Sequence, residues 1–296
     1  MAELLPDCYG GRPENNQLDA MANKAVRDGS AATRLNTLKL VASIAVPIAF
    51  CVMFLASFAL VEVSIAAFLI LFFIGAAGAS TAWMIRLSME RYSVISMLEN
   101  NQKAALFTNA HVGKYETLCG LCGGDEGFEK ANQSWTEMIE ALNKLLEGDP
   151  TLKNLAELYR LKVDLERQVD ENRGVGDSKL YARLESAENE IDMFEGKWPL
   201  HAQAFKTIFL LEKVVFDKST NARSAALPLA MFTGVAEVRM QDYDQYYDYD
   251  NHRWVRVFRD NTCWSAALDQ AKKAFNGFGL LWEQVEKTDT SRGLEH

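Results

Sequence analysis

The stretch LVASIAVPIAFCVMFLASFALVEVSIAAFLILFFIGAAGASTAWMI, residues 40–85, decides the fold. It lies between Lys39 and Arg86, and its 46 residues contain one fully charged side chain, Glu62, near the middle. The apolar halves before and after Glu62 are 22 and 23 residues long. As a helix, each half would extend roughly 33 Å, which matches the ~30 Å hydrocarbon core of a bilayer. We therefore predict an N-terminal transmembrane hairpin, residues 39–86, with Glu62 at its turn.

Small residues recur on one side of the second half of this hairpin. Small side chains let helix backbones approach closely, so they mark a helix-packing seam. Two partners are open for the seam. We favour the first helix of the same hairpin, and the alternative is the hairpins of other copies, assembled as an oligomer around a pore. The predicted packing residues are Gly75, Gly78, Ala79 and Ala82.

Basic residues flank both ends of the hairpin, whereas its turn has none. By the positive-inside rule, both chain termini then face the cytoplasm, and residues 87–290 form a cytoplasmic helical domain. A hairpin that a secreted protein inserts into a host or organelle membrane is the alternative. The flanking basic residues are Lys24, Arg27, Arg34, Lys39, Arg86, Arg91 and Lys103.

Composition and the chain ends set further expectations. The net charge is -9 and the sequence pI is about 5.1, which argues against nucleic acid as a partner because phosphate binding favours a basic surface. Residues 1–38 are predicted to hold a flexible tail and a short amphipathic helix at 17–28. That helix lies either on the membrane or on the soluble domain. Residues 294–296, LEH, resemble the start of a vector-encoded tag.

Apolar positions at helical spacing predict the cytoplasmic domain. The second span is expected to continue as one helix as far as Gly113. Four further helices follow, with short connections and one apolar stripe each, which is typical of an antiparallel helical bundle. Asp149 is predicted to cap the second of these and Pro150 to occupy its first position. The four helices are predicted near 128–147, 150–173, 180–194 and 201–216.

Part of this bundle resembles a known family. The residues that carry the resemblance are ALNKLLEGDPTLK at 141–153, Leu161, Leu165, Arg173, NEI at 189–191 and KWP at 197–199. The stretch from Ala141 to Pro199 is similar to the second half of LemA-family domains. Those proteins join an N-terminal membrane anchor to a helical bundle. The resemblance implies a membrane-associated scaffold and carries over no catalytic residue.

The string CGLCGGDEG, residues 119–127, is the one motif-like sequence in the chain. Cys119 and Cys122 could form half of a zinc site or a redox pair, because both use thiolates held close together. Zinc would need two more ligands, for which the candidates are His111, Cys8 and Cys263, and none has the short spacing of a second knuckle. We favour a flexible Gly-rich loop between helices.

Residues 235–259 alternate in character and predict a small β-hairpin with the acidic tip DYDQYYDYD, residues 242–250. Carboxylates at the tip could bind Ca²⁺, although no Gly supplies the sharp turn of an EF-hand. Tyrosines at the tip could contact a protein partner. A solvated acidic loop is the interpretation we favour. The metal candidates are Asp242, Asp244, Asp248 and Asp250, and the partner-binding candidates are Tyr243, Tyr246, Tyr247 and Tyr249.

A last helix is predicted over 262–287, with apolar residues at alternating spacings of four and three, as in a coiled-coil seam. Its aromatic members include Trp264 and Trp282. We expect the seam to pack within the bundle of its own chain. The alternative is that it binds a protein partner or the same helix of a second protomer, with both tryptophans in the contact.

No phosphate loop, nucleophile elbow, zinc-protease motif or dinucleotide fingerprint occurs in the sequence. We therefore expect neither an enzyme nor a bound cofactor. The sequence favours an all-α membrane protein in which a two-span hairpin, embedded in a lipid bilayer, anchors a cytoplasmic scaffold or adaptor for protein partners. The alternative is an oligomeric pore-forming or ion-conducting effector, but polar residues within the spans are few and scattered.

Overall fold

The chain is helical throughout except for one two-stranded hairpin, within the residues that the structure describes. The computed structural model describes residues 15–60, 63–114, 116–172, 178–241, 243–248, 253–258 and 262–287. Within these ranges, side chains are described except over 54–69, 82–93, the two strands and some single positions. The prediction of an all-α class is confirmed.

Ten helices and two strands follow one another along the described chain. They are α1 (Asn15–Leu60), α2 (Val63–His111), α3 (Leu118–Leu121), α4 (Asp125–Gly148), α5 (Pro150–Glu171), α6 (Ser178–Lys197), α7 (Pro199–Lys213), α8 (Ala222–Met240), β1 (Tyr243–Asp248), β2 (Arg253–Phe258), α9 (Thr262–Gly277) and α10 (Trp282–Lys287).

Helix α8 lies at the centre of the body. Every residue from Ala225 to Ala236 is buried, and α2, α7 and α9 pack around the helix. A helix that is apolar on all sides must be covered on all sides, so this segment organises the core. At its N-terminal end, the Arg223 guanidinium donates to Asp19 of α1 at 2.5 Å and to Asn109 of α2 at 2.6 Å.

Helices α1 and α2 form one long antiparallel pair, and their inner ends belong to the body. Asn36 donates to Glu99 at 2.7 Å, and Gln102 donates to Ser30 at 2.9 Å.

The predicted amphipathic helix at 17–28 is part of α1. Its apolar residues, Leu18, Ala22 and Ala25, are buried against the body, so the second of the two predicted positions is confirmed. The predicted extension of the second helix to Gly113 is confirmed as well, since α2 ends at His111. Glu62 lies outside the described residues.

The four predicted helices are confirmed as α4 to α7, but they do not form a bundle by themselves, because α4 packs mainly against α9 and α7 mainly against α8. Asp149 caps α5 by accepting hydrogen bonds from the backbone N–H groups of Thr151 and Leu152 at 2.8 and 3.0 Å. Pro150 occupies the first helical position. A small second cluster of buried apolar residues joins the far ends of α5 and α6, around Leu165, Leu180 and Ala187.

The predicted β-hairpin is confirmed, but its first strand was placed too early in the chain, because Tyr243–Asp248, predicted to lie in the tip, form β1. Strands β1 and β2 pair antiparallel, with Tyr246 opposite Val255. Residues 235–240, predicted to belong to the first strand, are instead the last turns of α8. The prediction was wrong there because a helix that is apolar all round, and that contains Pro228, lacks the one-sided stripe by which a helix is recognised.

The predicted terminal helix is two helices rather than one. Helix α9 ends at Gly277, and Gly279 adopts a positive φ of 71° before α10 begins. The turn buries Phe278 and places α10 against α2 and α9. A continuous coiled-coil seam is therefore absent from the described residues, while the expected packing of the seam residues within their own chain is confirmed.

Over the residues that the structure describes, none of the helices is both long enough and apolar enough to pass through a membrane. The predicted transmembrane hairpin remains a prediction.

Gly29 lies at a close approach of α1 to α2. A Cβ at this position would lie 2.8 Å from the Leu98 carbonyl oxygen and would also overlap the Gln102 side chain. We expect Gly29→Ala to lower the free energy of unfolding by about 1–2 kcal/mol, because overpacking outweighs the gain in helix propensity. Thermal denaturation of the full chain, followed by circular dichroism, measures this effect.

The matched control is Gly78→Ala, at a position where a Cβ would meet no described atom within 4 Å. We expect this variant to unfold at the original temperature or slightly above it. An unchanged unfolding temperature for Gly29→Ala would contradict the close approach of the two helices.

Candidate functional site

The outer part of the α1–α2 pair exposes large apolar side chains. Ile48 and Val52 on α1 are 56% and 59% exposed, and Phe72 and Ile74 on α2 are 59% and 60% exposed. Leu38, Leu40 and Val41 are more than half exposed as well. Soluble proteins rarely expose apolar patches of this extent unless the patch contacts a membrane or a partner. This apolar surface is the first candidate site.

The predicted packing seam has no described partner at its two glycines. A Cβ at Gly75 or Gly78 would meet no described atom within 4 Å. The side chains of Ala79 and Ala82 lie outside the described part of the chain. Close backbone approach occurs instead in the body, at Gly29 and at Gly234, where a Cβ would lie 3.0 Å from the Asn100 Cβ.

Asp149 is the centre of a buried polar cluster, which we call the Asp149 cluster and which includes His201 and Trp264. The Trp264 Nε1 donates to Asp149 Oδ2 at 2.7 Å, and His201 Nε2 lies 3.5 Å from the same oxygen. The His201 ring meets Trp264 edge to face at 5.6 Å. The other carboxylate oxygen accepts the backbone N–H groups at the start of α5. The cluster thus joins α5, α7 and α9.

The Asp149 carboxylate is stabilised in its ionised form. Burial alone would raise its pKa, but hydrogen bonds from His201, Trp264 and the Leu152 backbone, together with the His201 charge, hold the pKa well below its usual value. A carboxylate this firmly ionised is a poor proton acceptor at neutral pH. The arrangement fits a structural cap better than a general base.

The side chains around Asp149 and at α10 are turned into the body. His201, in the first turn of α7, is 4% exposed within the core. Trp264 and Trp282 were partner-binding candidates, but both are buried and donate to carboxylates of their own chain, Asp149 and Glu237. The polar atoms of all three side chains face inward, so none is available at the surface of the single chain.

We expect Asp149→Ala to lower the free energy of unfolding by about 2–4 kcal/mol, because α5 loses its cap and the Trp264 N–H loses its acceptor. Asp217→Ala is the matched control, since Asp217 also accepts a backbone N–H two residues ahead, from Ser219, but in an exposed turn. Chemical denaturation of both variants measures the difference. Equal losses would contradict the role assigned to the buried cluster.

Glu212, near the end of α7, is a second unusual carboxyl group. Burial raises the pKa of Glu212 to about 7, from an ordinary value of 4.5. Between these two pH values the folded chain retains a proton that the unfolded chain releases. The free energy of unfolding should therefore fall as pH rises from 4.5 to about 7 and level off at higher pH.

We expect Glu212→Gln to flatten this part of the stability profile and to raise the unfolding temperature at pH values above the raised pKa, because an amide needs no charge in the buried site. Unfolding temperatures of the original chain and of Glu212→Gln, measured from pH 5 to pH 8, test both expectations. The control is Glu140→Gln, at an exposed position on α4. Parallel profiles for the original chain and Glu212→Gln would contradict the assignment.

Of the two cysteines of the CGLC motif, Cys119 lies within the one-turn helix α3 and Cys122 caps its C-terminal end. Helix α3 is followed by a turn in which Gly123 and Gly124 have positive φ, so the glycine-rich connection is confirmed but begins as a helical turn. Burial, and then the proximity of Cys119, raises the pKa of Cys122 to about 11. A thiol that stays protonated at neutral pH is a poor nucleophile.

The structure describes little of the remaining metal and partner candidates, which lie in residues 242–250. Among the described side chains, no group of three His, Cys, Asp or Glu residues is arranged to hold a metal ion. Asp244 and Asp248 lie on β1, but their side chains are not described, and Asp242 and Asp250 lie outside the described residues. The same holds for the tyrosines: Tyr243, Tyr246 and Tyr247 are on β1 and Tyr249 is outside. Their roles in binding a metal or a partner stay predictions, and those on β1 lie in a strand rather than at the tip.

Comparison of the chain with protein-family models, with curated proteins and with solved structures finds no match in any of the three. The resemblance of Ala141 to Pro199 to LemA-family domains is untested by these comparisons.

Proposed function

We propose that the protein is a membrane-anchored helical scaffold, in which the outer part of the α1–α2 pair enters a lipid bilayer. The observation that carries the proposal is the exposed apolar surface from Leu38 to Ile74. Full burial of one large apolar side chain is worth roughly 1.5–3 kcal/mol, so a surface of this extent favours an apolar environment strongly. The sequence supports the same assignment through the lengths of the two apolar halves, 40–61 and 63–85.

Charge at the base of the hairpin supports an orientation. Lys39 precedes the first apolar half, Arg86 follows the second, and Glu62 between the halves is acidic. The positive-inside rule then places the helical body and both termini in the cytoplasm. A lipid bilayer is the first partner in this proposal.

The body behind the hairpin has the features of a scaffold. Two of its buried polar groups, Arg223 and the Asp149 cluster, join helices to one another. The resemblance to LemA-family domains supports the same arrangement of anchor and bundle. We propose that the body and the acidic β-hairpin present surfaces to a protein partner.

A second candidate function is an oligomeric pore. The specific observation in its favour is the open surface at Gly75 and Gly78, where a helix of another copy could pack closely. Small polar residues along the spans are few, and a conducting pore needs a wet lining. The scaffold is therefore the function that we propose first.

Flotation with liposomes tests the anchor directly. We expect the full chain to float with phospholipid vesicles in a density gradient and to resist extraction by alkaline carbonate. Replacing Ile48 and Ile74 by Asp should release much of the protein, since a charge within the bilayer costs roughly 2.5–3.5 kcal/mol per residue. Leu161→Asp combined with Met193→Asp is the matched control, because these residues are exposed apolar side chains on the bundle.

Release of both double variants to the same extent, or recovery of the original chain in the aqueous fraction, would contradict the anchor. Ion leakage from the same vesicles separates the two candidate functions. The scaffold predicts leakage no greater than that of protein-free vesicles, and selective leakage that Gly75→Val and Gly78→Val abolish would favour the pore.

A further inference from the structure

A cavity of about 450 Å³ lies between α1, α2, α7 and α8. Its volume lies in the range of pockets that hold small organic molecules. One wall is apolar and is formed by Met21, Leu98, Phe209 and Met231. Two of these, Phe209 and Met231, are at most 4% exposed, so the wall is continuous with the core.

The mouth of the cavity is basic although the chain as a whole is acidic. Lys24, Lys206 and Lys213 line it together with a single carboxylate, Asp28, whereas the net charge of the chain is -9. Lys206 also pairs with Glu195. The Lys213 ammonium lies 4.5 Å from the centre of the Phe209 ring, which places a positive charge at the edge of the apolar wall.

A buried amide supplies the third feature. Asn101 lines the cavity and is 4% exposed, and its Oδ1 has no hydrogen-bond partner among the described residues. An unpaired buried amide oxygen costs free energy, so such groups in native proteins call for an explanation. A ligand that brings a hydrogen-bonding group to the floor of the cavity would remove this cost.

We propose that this cavity binds an amphipathic organic acid, with its anionic group at Lys24 and Lys213 and its compact apolar body against Phe209 and Met231. The inference goes beyond the scaffold function and does not depend on it. The three features select this class in different ways. The apolar wall disfavours a fully hydrated anion such as free phosphate, the basic mouth disfavours amines, and Asn101 favours a ligand with a polar group near its apolar end. A bound acid would bridge α1 and α2 to α7 and α8.

Calorimetric titration of the full chain, both in buffer and in lipid nanodiscs, with the matching protein-free blank subtracted, tests the site whether or not the chain enters a bilayer. The probe is phenylbutyrate, and the matched probes are phenylbutanol, which lacks the charge, and phenylbutylamine, which reverses it. We expect phenylbutyrate to bind more tightly than phenylbutanol, and phenylbutylamine to bind least. Lys24→Gln combined with Lys213→Gln should weaken phenylbutyrate binding about tenfold and leave phenylbutanol binding unchanged.

Two further variants keep the test decisive. Asn101→Leu should weaken binding of 4-(4-hydroxyphenyl)butyrate, whose phenol O–H can donate to Asn101 Oδ1, and leave phenylbutyrate binding unchanged. Lys144→Gln on α4, which lies at a different cavity, should change neither. Any of three results would overturn the proposal. These are no heat beyond that of the protein-free blank, equal binding of the acid and the amine, and unchanged phenylbutyrate binding in the double lysine variant.

Discussion

The structure depends on the requirement that α8 be covered on every side. Its apolar residues continue around the whole helix from Ala225 to Ala236, so no face can be left to water. Helices α2, α7 and α9 meet that requirement, and each brings its own neighbours into the body. The Arg223 guanidinium, paired with Asp19 and Asn109, holds the N-terminal end of α8 to both long helices. The core is therefore assembled from segments that are distant in sequence.

The same packing joins the body to the apolar hairpin. Helix α1 runs unbroken from Asn15 to Leu60 and α2 from Val63 to His111, so one end of each helix lies in the core and the other carries the apolar surface. Close approach at Gly29 and Gly234 fixes α2 between α1 and α8. A body joined to the apolar segment through two continuous helices is held to it more rigidly than one joined through a loop.

Helices with one apolar face could be predicted from the sequence, and those without one could not. In α4, Trp135, Met138 and Leu142 form a clear stripe, and the bounds of the helix followed from it. In α8 the apolar residues surround the helix, and Pro228 adds a residue that usually ends helices. The break between α9 and α10 was missed because Phe278 and Trp282 keep helical spacing across a turn that Gly279 allows.

Only part of the Asp149 cluster could be predicted from the sequence. Asp149 before Pro150 is a local capping signal, so its bonds to the start of α5 were expected. Its bonds to His201 and Trp264 join three separate helices, and such pairing depends on tertiary packing rather than on local sequence. The basic cavity was missed for the same reason, since its lysines come from α1 and α7 and are brought together by the fold.

Photolabelling from within the bilayer tests the central claim most directly. The unmodified chain would be reconstituted into vesicles whose phospholipid carries a diazirine at the end of an acyl chain, irradiated, and mapped by peptide mass spectrometry. The account predicts labels within residues 40–85 and none within 118–287. Labels spread over the body, or an unlabelled 40–85 segment in a chain that stays with the vesicles, would contradict it.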